Sequence, residues 1–155
     1  MLYFAYGSNL DWQRMLGRCP SARFVCVATL PKHAFAFTRK CQKGYGVMDI
    51  KPDDSAEVWG VVYEIDEIDV ERLDKAEGYR PGRSDGENAY RRVERMVFGD
   101  GCEEKPYAVC TYEVVTKSKK HIPPSQEYKN LVVDGAKRWQ LPADYQAQLE
   151  TIETE

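Results

Sequence analysis

EVWGVVYEI, at residues 57–65, is the strongest β-strand pattern of this 155-residue sequence. Its apolar residues, several of them β-branched or aromatic, follow one another almost without interruption. Such a run favours a strand that is buried on both faces. Other elements must cover these faces, so the fold depends on the segments before and after this strand.

A helix is predicted directly after the strand, over residues 66–78. Asp66 suits the N-cap position, and Gly78 suits the position just past the last turn. Between them, apolar residues recur at helical spacing and form one face: Val70, Leu73 and Ala76.

Glu77 shares this apolar face, because it lies seven residues after Val70 and four after Leu73. The other acids of the helix fall off the face or at its edge and are expected to be exposed: Glu67, Glu71 and Asp74. Burial and the negative end of the helix dipole both raise the pKa of such a carboxyl. It can then accept a proton and return it. The pattern leaves open a side chain that rotates into solvent at a fraying helix end.

The segment before the central strand is predicted to hold several strands and one short helix. The strand candidates are Leu2–Tyr6, Phe24–Pro31, His33–Thr38 and Val47–Ile50. A helical turn or two is predicted over Asn9–Leu16, with Ser8 or Asn9 as its cap.

Two strands and two helices are predicted after residue 78. The strands are Ala89–Phe98 and Tyr107–Val115, on either side of a turn at residues 99–101. A long amphipathic helix follows Ser125, and a last helix begins at Ala143. The apolar stripe of the long helix consists of Tyr128, Leu131, Val132, Gly135, Ala136 and Trp139. Because strands come mostly first and helices last, we predict the α+β class, with one domain over residues 1–155 and a sheet that curls toward a barrel.

The composition argues against several classes of function. Hydrophobic residues make up 43% and charged residues 30%, which is typical of a soluble globular protein. The net charge is −3 without a basic block, so no nucleic-acid partner is indicated. No apolar stretch reaches the roughly 18 residues that span a bilayer. The apolar start predicts a strand rather than a signal peptide. We therefore expect a cytoplasmic protein without a membrane partner.

Metal and cofactor sites are not indicated either. The five cysteines include no CxxC pair, and the two histidines, His33 and His121, lie far apart in the sequence. Neither a zinc site nor a disulfide framework is therefore expected, and the cysteines are predicted to be reduced thiols.

The segment YGSNL at residues 6–10 is the first candidate for chemistry. A strand ends there, a glycine permits a tight turn, and two small polar residues open a helix. Such a corner points backbone N–H groups at one spot, which can bind a carboxylate, a phosphate or a developing oxyanion. A capped turn without a ligand has the same pattern, so both interpretations stay open.

Tyr128 is a further candidate at the head of the long C-terminal helix. Its position on the apolar stripe favours core packing. The alternative is a phenol that reaches into a pocket.

Three sequence blocks, in the same order, resemble the γ-glutamylcyclotransferase family, which has an AIG2-like fold. The first is LYFAYGSNL at residues 2–10. The second is EVWGVVY at 57–63, followed by LDKAEG at 73–78. The third is PPSQEYK at 123–129, with GA at 135–136 and LPADY at 141–145. Together the blocks span almost the whole chain.

This resemblance implies a small mixed fold with a barrel-like sheet and a cofactor-free enzyme. Such an enzyme forms 5-oxoproline from γ-glutamyl substrates, a lyase or acyltransferase reaction in glutathione metabolism. The resemblance implies a homodimer, and it implies that Glu77 is the general acid and base. The implied substrate-binding residues are Tyr3, Phe4, Ala5, Tyr6, Gly7, Ser8, Asn9 and Tyr128.

The polar loop Tyr79–Ala89 departs from the family pattern, because it is longer than expected for the animal enzymes. This leaves the leaving group open. The substrate alternatives are γ-glutamyl amino acids, γ-glutamylamines, a γ-glutamyl-tagged metabolite, or glutathione itself. Arg80 and Arg83 are candidates for contacting a substrate carboxylate, although solvated loop arginines are more common. A non-catalytic module that binds a γ-glutamyl metabolite is the alternative from another class.

Overall fold

The sheet of the computed structural model, which describes all 155 residues, is a closed five-stranded barrel. Its strands are β1 (Leu2–Ala5), β2 (Arg23–Lys40), β3 (Gly46–Glu64), β4 (Tyr90–Gly99) and β5 (Pro106–Val114). Around the barrel they follow the order β1-β3-β2-β4-β5, and β1 closes onto β5 by parallel pairing. The other pairs are antiparallel. The predicted α+β class and barrel-like sheet are confirmed.

Four α-helices accompany the barrel: α1 (Trp12–Arg18), α2 (Glu67–Ala76), α3 (Gln126–Arg138) and α4 (Ala143–Glu150). The side chains of Asp11 and Ser125 cap α1 and α3 by accepting a hydrogen bond from a backbone N–H of the first turn. The start of α1 differs from the prediction. Ser8–Leu10 forms a separate 3-10 turn, and Asp11 rather than Ser8 or Asn9 is the cap.

The two longest strands, β2 and β3, form one hairpin, which is paired from Arg23 opposite Glu64 to Lys40 opposite Gly46. The sequence pattern predicts two shorter strands in place of each, because polar residues interrupt the apolar pattern. Continuous cross-strand pairing carries the strands through these polar stretches. The register slips just after Pro31, where Lys32 has a φ of +58°.

The predicted central strand is buried, as expected. The side chains of Val58, Val61, Val62 and Tyr63 have no exposed surface. The second half of β3 pairs with β1 on one side and with β2 on the other. Both edges of this part of β3 are therefore hydrogen-bonded to neighbouring strands.

Two predictions about the faces of α2 are wrong. Asp74 is buried rather than exposed, because Tyr112 of β5 donates a hydrogen bond to it and Arg92 of β4 forms an ion pair with it. Ala76 is exposed rather than part of the buried face. Asp66 occupies the N-cap position as predicted, although its side chain makes no capping hydrogen bond.

Candidate active site

The 3-10 turn Ser8–Leu10 follows β1 directly, and side chains from distant elements hold it in place. The Tyr63 hydroxyl of β3 donates to the Asn9 carbonyl oxygen at 3.0 Å. The Trp139 indole N–H, just after α3, donates to the Leu10 carbonyl oxygen at 2.9 Å. The backbone at the end of β1 is therefore fixed before any ligand arrives.

A small cavity of ≈ 30 Å³ opens at this corner. It brings together the end of β1, the end of α2 and the start of α3, which are far apart in the sequence. The predicted site residues that line it are Tyr3, Tyr6, Gly7, Ser8, Asn9, Glu77 and Tyr128.

Phe4 and Ala5 belong to the barrel wall and do not line this cavity. Both are fully buried. The Phe4 carbonyl oxygen accepts a hydrogen bond from Thr111 Oγ1 at 2.7 Å, and Ala5 pairs with Val61 of β3. These contacts hold β1 in the sheet.

Three further residues line the cavity that the sequence did not single out: Met48, Tyr90 and Tyr112. Tyr112 lies opposite Arg92, two residues from Tyr90, so the two tyrosines share one face of the β4–β5 hairpin. Pairing the two predicted strands across their turn would have placed both tyrosines on that face. The sequence pattern has no signal that this face looks into a cavity.

Glu77 ends α2, where Gly78 adopts a φ of +66°, a conformation that costs glycine little. The Glu77 side chain is 16% exposed, and its Oε1 atom lies 3.5 Å from Arg18 Nη1. This oxygen also accepts a hydrogen bond from Asn9 Nδ2 at 3.2 Å. Asn9 in turn donates to the Tyr3 hydroxyl and accepts from Arg18 through Oδ1 at 2.8 Å. The carboxylate is therefore part of an ordered network.

Burial raises the pKa of Glu77 above its usual value. This effect exceeds the opposing attraction of Arg18 and Arg14 and the hydrogen bond from Asn9, all of which favour the carboxylate. The raised pKa lies closer to neutral pH. A carboxyl whose pKa is near the working pH is most effective at taking and returning a proton.

The cavity tyrosines differ in what their hydroxyl protons do. Three donate to protein acceptors: Tyr6 to the Tyr112 carbonyl oxygen, Tyr90 to the Met48 carbonyl oxygen, and Tyr112 to Asp74. The Tyr3 hydroxyl only accepts, from Asn9 Nδ2 at 2.9 Å. The Tyr128 hydroxyl likewise accepts from the Met48 N–H at 3.0 Å. Burial raises the pKa of Tyr128 to about 12 and the pKa of Tyr3 well above its usual value, so both phenols keep a proton for a ligand.

Gly7 keeps part of the cavity open. Its N–H donates to no acceptor in the protein. A β-carbon at this position would lie 3.3 Å from the Tyr128 hydroxyl oxygen and 3.5 Å from Met48 Cβ. The missing side chain therefore leaves room for a ligand oxygen between the Gly7 amide and the Tyr128 phenol.

Hydrogen bonds within the polar loop over residues 79–89 join its first and last parts beside α2. Asn88 Oδ1 accepts hydrogen bonds from the Arg80 N–H and from the Arg83 guanidinium, both at 3.0 Å. Neither arginine lines the cavity, and both face a separate groove beside α2. This geometry does not support the suggested contact of Arg80 or Arg83 with a substrate carboxylate.

A wider outer cleft of ≈ 380 Å³ shares lining residues with the cavity: Ser8, Glu77, Tyr90 and Tyr128. Its basic lining residues are Arg14, Arg18, Arg39 and Lys75, and Glu77 is its one acidic lining residue. An extended ligand can therefore occupy the cavity and the cleft at once, with Glu77 at the boundary.

No three or more His, Cys, Asp or Glu side chains are grouped so that they could hold a metal ion. The cysteines are free: Cys19, Cys26, Cys41, Cys102 and Cys110. None of the helices has the length and apolarity that crossing a membrane requires.

The AIG2-like family model matches residues 57–149 of this chain. The chain is also similar to the γ-glutamylcyclotransferases of Homo sapiens, at 35% identity, and Bos taurus, at 36% identity. Each of these alignments covers 98% of this chain and 78% of the relative's length.

Solved structures resemble the fold over its full length. A γ-glutamyl cyclotransferase structure superposes with a TM-score of 0.86 at 34% identity, covering 100% of this chain and 89% of that one. YkqA from Bacillus subtilis superposes with a TM-score of 0.79 at 24% identity and covers 100% and 56%. The second likeness concerns the fold alone.

Proposed function

Because the chain belongs to the AIG2-like γ-glutamylcyclotransferase family, we propose that it closes a γ-glutamyl group on itself and releases 5-oxoproline together with an amino acid or amine. An enzyme of this type is supported by the identity to curated relatives over almost the whole chain. The observation that carries the mechanism is one cavity that is lined by both Glu77 and Gly7.

The substrate supplies the nucleophile in this reaction, which is of the lyase or acyltransferase kind. The α-amine attacks the γ-carbonyl carbon, and the new C–N bond closes a five-membered ring. The bond from that carbon to the leaving amine then breaks. One proton leaves the α-ammonium and one joins the departing amine, so a single group that takes a proton and returns it balances the reaction. No cofactor is needed for these steps.

Glu77 is the group that moves this proton. Its buried position and raised pKa support the role, because a carboxyl nearer to neutral pH serves as both base and acid. Asn9 and Arg18 hold its Oε1 atom in a defined orientation. The Glu77 side chain also lines both the cavity and the outer cleft, where the leaving amine would depart.

The γ-carbonyl oxygen gains negative charge during the attack, and donors at the corner after β1 stabilise it. The Gly7 N–H, which has no protein acceptor, is the first of these donors, with the Ser8 amide beside it. The Tyr128 hydroxyl proton is available for the same oxygen. Each such donor typically lowers the barrier by ~3 kcal/mol.

The substitution Glu77→Gln tests this mechanism. It keeps the shape of the side chain and most of its hydrogen bonding but removes the base. We expect 5-oxoproline release, measured by chromatography, to fall at least about 100-fold. Circular dichroism and calorimetric binding of the γ-glutamyl donor should change little.

Glu87→Gln is the matched control, because Glu87 is an exposed acid of the neighbouring loop and does not line the cavity. It should keep wild-type turnover. Undiminished turnover by Glu77→Gln would remove Glu77 from the mechanism.

Alternatives within the same chemistry are γ-glutamylamines, γ-glutamyl-tagged metabolites and glutathione itself. Measuring 5-oxoproline release from a panel of such donors separates them and tests a place in glutathione metabolism. The alternative from another class is a non-catalytic module, and saturable binding of γ-glutamyl donors without any turnover would support it.

A cytoplasmic location and a homodimer are further parts of the proposal. The dimer rests on the family resemblance, and the location rests on the reduced thiols that the sequence predicts. Analytical ultracentrifugation of the purified chain tests the dimer. Fractionation of the source cells tests the location.

A further inference from the structure

We propose that the outer cleft selects γ-glutamyl substrates whose leaving group carries two negative charges, such as an acidic α-amino acid. This inference rests on the proposed function and narrows its substrate class. The cleft is positively charged, because it has four basic lining side chains and one acidic one.

Three of the four cations in the cleft have no acidic partner. Arg18 already contacts Glu77 and donates to Asn9. The remaining basic side chains form no ion pair and donate no hydrogen bond within the protein: Arg14, Arg39 and Lys75. They belong to α1, β2 and α2, so three separate elements place unpaired cations around one space.

Outside the cleft, some basic residues pair with acids and others form no ion pair. The pairs include Arg23 with Glu64, Arg91 with Glu113, Arg92 with Asp74, and Lys117 with Asp49. What distinguishes the cleft is that three unpaired cations line one space. In the cleft, Arg14 Nε is buried and has no hydrogen-bond partner. A buried donor without an acceptor costs free energy, and an anionic ligand would remove that cost.

The charges of the substrate can be matched to these cations. A γ-glutamyl group brings one carboxylate of its own, at its α-carbon. If one free cation pairs with that carboxylate, two free cations remain in the cleft. Two negative charges on the leaving group match them.

The leaving group is the part of the substrate that extends farthest into the cleft. Glu77 must return a proton to the departing amine, and Glu77 lies where the cavity meets the cleft. The substituent on that amine therefore extends past Glu77 toward Arg14, Arg39 and Lys75. A cationic substituent, as in a γ-glutamyl diamine, would meet like charges there.

Two isosteric substrates test the proposal. γ-Glutamyl-glutamate has a leaving group with two negative charges, and γ-glutamyl-glutamine has one with a single charge and the same shape. We expect kcat/KM to favour γ-glutamyl-glutamate on the order of tenfold, the size of one added charged hydrogen bond. The preference should shrink as salt rises, because the cleft is open to solvent.

Arg39→Gln and Arg14→Gln should each bring the ratio of the two kcat/KM values toward one. The ratio is measured on a single preparation, so any loss of folded enzyme cancels. Lys105→Gln is the control, because this exposed lysine pairs with Asp100 away from the cleft. It should leave the ratio unchanged.

The outcomes separate this inference from the proposed function. Equal kcat/KM for the two substrates, or a preference for γ-glutamyl-glutamine, would overturn the inference while 5-oxoproline release still upheld the function. A ratio that both arginine substitutions leave unchanged would also overturn it. Release of 5-oxoproline from none of the donors would instead contradict the proposed function.

Discussion

Arg18 and Asn9 act together on Glu77, the residue to which we assign proton transfer. Arg18 lies 3.5 Å from the carboxylate and also donates to Asn9 Oδ1, which leaves Asn9 Nδ2 to donate to Glu77. Both contacts favour the ionised carboxylate, whereas burial, the larger effect, favours the neutral acid. The pKa of Glu77 is therefore a balance that a single substitution can shift.

Arg18→Gln should move the acid limb of the activity profile to higher pH. The substitution removes a positive charge that stabilises the carboxylate, so the pKa of Glu77 rises further. The base must be deprotonated to act, so a higher pH is then needed for the same activity. Measuring kcat/KM against pH checks this.

Arg18→Lys is the conservative control and should restore much of the profile, because it keeps the charge. Arg23→Gln should leave the profile unchanged, since Arg23 pairs with Glu64 and Asp66 at the surface. An acid limb at the wild-type pH in Arg18→Gln would show that Arg18 does not tune Glu77.

Helix α3 packs closely against the turn that follows β1. A β-carbon on Gly135 of α3 would lie 2.6 Å from both the carbonyl carbon and the Cβ of Leu10. Glycine therefore permits a helix–turn approach that no other residue allows without movement. This approach also brings Trp139 within reach of the Leu10 carbonyl oxygen.

Gly135→Ala should destabilise the protein by roughly 1–3 kcal/mol, the usual cost of overpacking. It should also lower activity, because the displaced turn holds Ser8 and Asn9. Urea unfolding and 5-oxoproline release measure the two effects.

Gly17→Ala is the matched control, because a β-carbon there meets nothing within 4 Å. This glycine lies inside α1, so alanine should stabilise the protein by roughly 0.5–1 kcal/mol through helix propensity. Equal stability of the two variants would argue against the close approach of α3.

A buried polar cluster joins the helix that carries Glu77 to the barrel. Asp74 of α2 accepts from Arg92 of β4 at 2.9 Å and from Tyr112 of β5. Its side chain is 7% exposed. The cluster therefore couples the position of α2, and of Glu77 at its end, to the β4–β5 hairpin.

Asp74→Ala should destabilise the fold by about 3 kcal/mol, because it leaves Arg92 and the Tyr112 hydroxyl without their acceptor. Urea unfolding measures the loss. Asp134→Ala is the control, since Asp134 is exposed on α3 and makes no ion pair, and its effect should stay within about 0.5 kcal/mol. Asp74→Ala combined with Arg92→Met should recover part of the stability, and no recovery would contradict the paired-charge explanation.

Features that depend on near neighbours could be predicted from the sequence. The buried run of the central strand, the end of α2 shortly before Gly78 and the two C-terminal helices all follow from spacing within a few residues. The spacing also places Glu77 on the face of Val70 and Leu73, although it leaves open whether the side chain is buried. The small residues of the corner after β1 also predict a turn there, although the cap of α1 is Asp11.

Features that depend on distant residues were decided only by the tertiary structure. Asn9 meets Glu77 across 68 positions of sequence, and Tyr112 meets Asp74 across 38. Which face of the β4–β5 hairpin lines the cavity follows from closure of the barrel, and so does the burial of Asp74. The unpaired cations of the cleft come from three different elements. Local periodicity encodes which residues a helix or strand buries, but the charge and hydrogen-bond partners around a side chain are set by whatever the folded chain brings beside it.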